Sequence, residues 1–157
     1  QYTQTGTISW VGVGCAVSVG AISAAINLAN NIRDIPTDAE AGKRTLAVML
    51  GDERARRLFT VLTLTPFVIT VFIGAAYAPT LLALAALPLA LSSVLKVRRG
   101  AAGADLIPVL GSNGRALLIW AVIMAGALIA GSPFLTLGDA VPYSDFGWTM
   151  YVPDAMM

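Results

Sequence analysis

The chain has 157 residues, of which 57% are hydrophobic and 12% charged, with a net charge of +1 and a mean hydropathy of +0.76. Soluble domains carry about 25% charged residues, so an ordinary soluble domain is excluded. Cys15 is the single cysteine and histidine is absent, which excludes disulfides, zinc sites and histidine-based catalysis within the chain.

The charge deficit is uneven: no charged residue occurs in 1–32, 58–95 or 116–138. A helix crosses the hydrocarbon in about 20 apolar residues. The first and third stretches each hold one span, and the second holds two. The prediction is an all-α, polytopic transmembrane helix bundle with four spans near 8–32, 58–76, 79–96 and 114–132. The first stretch is not a signal peptide, because it lacks a basic n-region and is too long. The sequence opens on Gln1 rather than methionine, and we read it as the carboxy-terminal part of a longer protein.

Span one carries Gly12, Ala16, Gly20 and Ala24 in a row of four-residue spacing, the pattern by which helix backbones approach closely in lipid. Gly51-Asp52-Glu53 reads as a stop followed by an N-cap with an acidic first turn. Tyr77-Ala78-Pro79 breaks the central apolar stretch, and Pro66 and Pro88 fall within spans, where kinks are expected. The segment 96–114 reads as a Gly-rich loop with one acid, Asp105, and Ser112 or Asn113 as cap of the last span. The segment 132–157 has neither helical nor strand periodicity. Its aromatic residues Phe134, Trp148 and Tyr151 suit the outer membrane interface.

All ten basic residues lie in two clusters. Arg33, Lys43, Arg44, Arg54, Arg56 and Arg57 separate spans one and two; Lys96, Arg98, Arg99 and Arg115 separate spans three and four. Basic residues are retained on the cytoplasmic side. With four spans, both clusters fall on that face. They flank the membrane and do not suggest a nucleic-acid partner.

The chemistry-bearing residues stand at the end of span one. Asn27, Asn30, Asn31 and Asp34 occupy i, i+3, i+4 and i+7, which places them on one face of a helix. Amides and acids at that depth are costly in lipid and normally face a cavity or a partner helix. Pro36 should end the helix near Asp34, and Thr37 with Glu40 fits a capping box opening a short second helix. Asp34 and Asp38 are then placed to converge on one ion. Magnesium takes oxygen ligands, usually one or two carboxylates plus substrate phosphates. Arg33, Lys43 and Arg44 supply positive charge for phosphate oxygens. The combination suggests a metal-bridged diphosphate. Solvated charge in a loop is the competing reading for the acids and bases, but it does not account for the asparagines.

The run Asn30-Asn31-Ile32-Arg33-Asp34-Ile35-Pro36-Thr37-Asp38-Ala39-Glu40-Ala41-Gly42-Lys43-Arg44-Thr45-Leu46-Ala47-Val48 closely resembles the second aspartate-rich motif of the UbiA prenyltransferase superfamily. The paired asparagines, Arg33-Asp34 and the Gly42–Val48 run are similar to the branch that prenylates 1,4-dihydroxy-2-naphthoate in menaquinone biosynthesis. Gln4-Thr5-Gly6 and the Asp105–Leu110 stretch are similar to that branch too. The resemblance covers 1–131; the segment 132–157 is left as an extracytoplasmic tail without a family counterpart.

The resemblance implies a nine-helix bundle in a bacterial cell membrane, with a cytoplasm-facing cavity and two aspartate motifs that hold Mg2+ on a polyprenyl diphosphate. It implies Asp34 and Asp38 as metal ligands and catalytic residues. Asn27, Asn30 and Asn31 would line the cavity, with Arg33 and Lys43 near the diphosphate. The partners implied are the polyprenyl diphosphate, an aromatic acceptor, the lipid bilayer and the amino-terminal half of the same enzyme, which carries the first motif. Two other readings stay open: the same fold with another aromatic acceptor, and a non-catalytic membrane subunit or transporter.

Overall fold

The computed structural model describes residues 9–130. Apolar stretches without internal backbone partners must form helices in lipid, because only a helix satisfies every N–H and C=O within its own segment. The described residues are accordingly helical. Helix α1 is Trp10–Arg33, α2 Ile35–Glu40, α3 Leu46–Leu50 and α4 Asp52–Gly74. After a 3-10 segment, Ala78–Ala86, come α5 (Leu87–Arg98), a short 3-10 turn (Gly103–Leu106) and α6 (Ile107–Ala130).

Four stretches are long and apolar enough to cross a membrane: Trp10–Arg33, Asp52–Gly74, Ala78–Arg98 and Gly103–Ala130. The expected number of spans holds among the described residues, while two boundaries move. The second span begins at Asp52, where Gly51 reverses the chain at φ +78. The charged turn 52–57 is helical because Asp52 pairs with Arg56 and Glu53 with Arg57, each at i, i+4. Asp52 therefore lies inside the first turn and is not the N-cap, and no side chain caps α4. The last span likewise begins before 114. Gly103–Leu106 and α6 absorb most of the expected loop, and Ser112 and Asn113 are buried within α6 rather than capping it.

Two further expectations are corrected. Thr37 and Glu40 form no capping box: α2 starts from Asp34 without a side-chain cap, and the Thr37 hydroxyl donates to the Asp34 carbonyl at 3.0 Å. Pro88 opens α5 instead of kinking a continuous α-helix, because the preceding nine residues are wound as 3-10. Pro66 stays inside α4, with the Thr70 hydroxyl donating to its carbonyl at 2.7 Å. The break at Tyr77 is as expected.

The spans pack in a four-membered arrangement: α1 lies against α4 and α6, and the 78–98 span lies against the same two. One apolar cluster, including Ala25, Leu28, Ala29, Phe59, Val97 and Val109, fills the end bearing the basic loops. A second, around Ile22, Phe67, Ala83, Ala86, Trp120 and Met124, fills the other part of the bundle. Alanines at the contacts let the backbones approach, as packing in lipid requires. Arg56 donates to the carbonyls of Val97 at 2.7 Å and Ala101 at 2.8 Å, so both basic loops meet at one end of the bundle.

Candidate functional site at the basic end of the bundle

Helix α1 buries Ser18, Ala21, Ile22, Ala25, Leu28, Ala29 and Ile32 against its neighbours. The row Ala16, Gly20 and Ala24 is exposed, and a Cβ added at Gly20 would meet nothing within 4 Å. Gly12 is half-buried, so within the described residues the row faces away from the other three spans from Ala16 onward. Asn27 is exposed, and Asn30, Asn31 and Asp34 are half-buried. The polar stripe thus runs along the side of α1 that the other three spans leave uncovered.

The helix ends where expected. Asp34 is the C-cap of α1 and the residue from which α2 starts, with Pro36 in the first turn of α2. The Asp38 N–H donates to the Asp34 carbonyl at 2.8 Å, so the two carboxylate-bearing residues are one helical turn apart across the junction. Each carboxylate is met by a cation. The Arg33 guanidinium forks onto Asp34 with Nε to Oδ1 at 2.7 Å and Nη2 to Oδ2 at 2.9 Å. Lys43 Nζ reaches Asp38 Oδ1 at 3.2 Å, after a turn at Gly42 whose φ of +69 favours glycine. Asp38 is 8% exposed, whereas Lys43 is mostly exposed. Arg44 is exposed at the same end.

The hydrogen bonds from Arg33 hold the Asp34 carboxyl below the usual carboxylate range. Partial burial opposes the shift, and the charges of Arg33 and Lys43 reinforce it. Asp34 is therefore a permanent anion at neutral pH. Among the described residues no cluster of three or more Asp, Glu, Cys or His side chains is present. The donor set fits magnesium in the form that recruits one or two carboxylates and completes its shell with substrate phosphate and water. Oxygen donors for a hard cation and ammonium or guanidinium groups for phosphate stand within hydrogen-bond distance of one another.

The structure also places residues that spacing alone did not single out. Arg56 ties the start of α4 to the loop after α5. Across the bundle, Asn113 Nδ2 donates to Thr63 Oγ1 at 3.3 Å and Trp120 Nε1 to Thr70 Oγ1 at 2.8 Å. The partners lie 50 residues apart, so the only sequence signal was the shared seven-residue interval on each helix. Asp105 is exposed, away from Asp34 and Asp38 in sequence, and lines an open cleft of about 540 Å³ with Lys96 and Arg99. Gln4-Thr5-Gly6, the tail 132–157 and its aromatic residues lie outside the described residues.

Comparison with known proteins agrees with the resemblance. The UbiA prenyltransferase family matches residues 2–106. A 1,4-dihydroxy-2-naphthoate octaprenyltransferase of Mycobacterium tuberculosis is 48% identical over 131 residues, covering 83% of this chain and 45% of the relative. Its counterpart in Mycobacterium leprae is 46% identical over 133 residues, covering 84% and 45%. A UbiA prenyltransferase domain-containing protein 1 homolog of Drosophila melanogaster is 34% identical over 75 residues, covering 48% and 21%. No solved structure matches the chain significantly. The chain spans about half the length of the two mycobacterial relatives. With its family match, its four membrane-crossing helices and its aspartate motif, the chain belongs to the UbiA prenyltransferase family.

Proposed function

We propose that this chain is the carboxy-terminal half of an Mg2+-dependent enzyme that transfers a polyprenyl group from its diphosphate to 1,4-dihydroxy-2-naphthoate. The observation that carries the reading is the pairing of Asp34 with Arg33 and of Asp38 with Lys43, one turn apart at the end of a membrane helix. The names of the mycobacterial relatives supply the acceptor class. In the reaction the allylic C–O bond of the prenyl diphosphate breaks, a C–C bond forms to the naphthol ring, and the ring carboxylate departs as carbon dioxide, leaving its electron pair to the ring and giving the quinol, demethylmenaquinol, and diphosphate.

Asp34 and Asp38 would hold the metal. Magnesium bound there supplies positive charge to the departing diphosphate. Lys43, Arg33 and Arg44 serve the same end from the protein, by donating to phosphate oxygens. Asn27, Asn30 and Asn31 offer neutral donors and acceptors along the uncovered side of α1, where the amino-terminal half of the enzyme would close a water-poor cavity. The basic end faces the cytoplasm of a bacterial cell, because that is where Lys and Arg are retained.

The test uses the complete protein in membranes. Asp34→Asn and Asp38→Asn should each lower magnesium-dependent prenyl transfer by about 100-fold or more, the scale of losing one electrostatic contact to the departing charge. Full activity in both variants refutes the metal assignment. Transfer to a different aromatic acceptor, with none to 1,4-dihydroxy-2-naphthoate, would keep the family chemistry and overturn the acceptor.

A further inference from the structure

On the outer side of α4 and α5 an open, wholly apolar groove of about 390 Å³ is lined by Leu64, Phe67, Val68 and Val71 of α4 and by Leu87 and Leu91 of α5. At the basic end of the same two helices, a cleft of about 190 Å³ is formed by Glu53, Arg56, Arg57 and Arg98. The two are in register. Arg57 precedes Leu64 by seven residues on α4, and Arg98 follows Leu91 by seven on the antiparallel α5. Seven residues are two turns, about 10 Å along each helix. Both arginines therefore stand on the helix faces that line the groove, one glycerol-and-ester length above it.

The charges of the cleft are unequally satisfied. Arg56 is consumed by Asp52 and by the carbonyls of Val97 and Ala101. Arg57 is paired with Glu53. Arg98 is exposed and has no hydrogen-bond or ion-pair partner among the described residues. An uncompensated guanidinium beside a second arginine, directly above an apolar trough, is complementary to a molecule with an anionic phosphate head and a hydrocarbon tail. Basic pockets between membrane helices are known to take such head groups.

We propose that this surface is a binding site for one anionic glycerophospholipid, with its phosphodiester between Arg98 and Arg57 and an acyl chain in the groove of Leu64, Val68, Leu87 and Leu91. The site lies on α4 and α5, apart from Asp34 and Asp38, and the proposal does not depend on the acceptor or the metal of the transfer reaction. Its role is to seat this part of the bundle in an anionic leaflet.

The experiment uses the full-length enzyme in nanodiscs of equal parts phosphatidylcholine and phosphatidylglycerol, followed by native mass spectrometry of lipid retained on partial delipidation. Phosphatidylglycerol should be retained over phosphatidylcholine by about fivefold per engaged arginine. Arg98→Gln should lower the preference about fivefold and Arg98→Lys should restore it, with prenyl transfer unchanged in both. Leu87→Trp, which fills the groove, should reduce retention of both lipids with the arginines intact. Equal retention of the two lipids by the natural protein, or an unchanged preference in Arg98→Gln, overturns the proposal. Displacement of the retained phosphatidylglycerol by added polyprenyl diphosphate would assign the site to substrate lipid and overturn the phospholipid assignment.

Discussion

Substituting Thr70 and Trp120 probes how the bundle holds its register in lipid. Both side chains are buried, with Thr70 fully so and Trp120 at 1% exposure. The Thr70 hydroxyl accepts from the indole N–H at 2.8 Å and donates to the Pro66 carbonyl at 2.7 Å. Thr70→Val keeps the shape and removes both bonds, stranding an indole N–H in an apolar core at a cost of about 1–3 kcal/mol. Trp120→Phe removes the donor and also leaves a void, so its loss should be larger. Lipid offers no hydrophobic reward for helix association, and hydrogen bonds between membrane helices average about 0.6 kcal/mol with a maximum near 1.7. This bond is short and its partners are buried, so the coupling in a double-mutant cycle should fall in the upper half of that range. Reversible unfolding in mixed SDS and non-ionic micelles, read by helix content, measures the four corners of the cycle. Additivity of the two substitutions within about 0.3 kcal/mol would show that the bond does not link α4 to α6 and would refute the reasoning.

Three further outcomes follow from the same contacts. Arg33→Gln removes the hydrogen bonds that hold the Asp34 carboxyl down. A depressed carboxyl contributes above its unfolded pKa and loses that contribution as pH falls through the lower folded value. The substitution should therefore move the acidic limb of the pH–rate profile of the complete enzyme to higher pH, and an unmoved limb counts against Asp34 as the group that titrates. Arg56→Met leaves the Val97 and Ala101 carbonyls without their charged donor and should loosen the loop after α5 by roughly 2 kcal/mol, seen as faster amide exchange over 99–106. Asn113 keeps an unpartnered buried Oδ1, and its bond to Thr63 is long. The paired change Thr63→Val with Asn113→Leu should cost less than about 1 kcal/mol in the same unfolding assay, because both polar partners leave together.

The span count and the meeting of both basic loops at one end were legible because each depends on an average over many residues, and the break at Tyr77 because of Pro79; Arg115, expected between spans, stands inside α6. Hydrocarbon thickness sets the length of an apolar run, and lysines and arginines sort to the ends. The caps were not legible. Ser112 and Asn113 have cap chemistry, yet they lie inside α6 because burial against α4 and α5 outweighed the local preference. Thr37 bonds its own i−3 carbonyl instead of an N–H. The charged turn 52–57 became helix through its two i, i+4 ion pairs, a possibility that a charge-free definition of the spans discards.

At the candidate site, sequence spacing alone determined which residues share the end of α1 and that Pro36 divides the two aspartates between helices, since both follow from helix geometry and the fixed φ of proline. Tertiary structure decided which side of that helix is covered. Ile22, Leu28 and Ile32 went into the bundle, while Ala24, Asn27 and Asn31 stayed on the open side. A helical period specifies that residues face together but not what they face, and only the docking of α4 and α6 against α1 settles that.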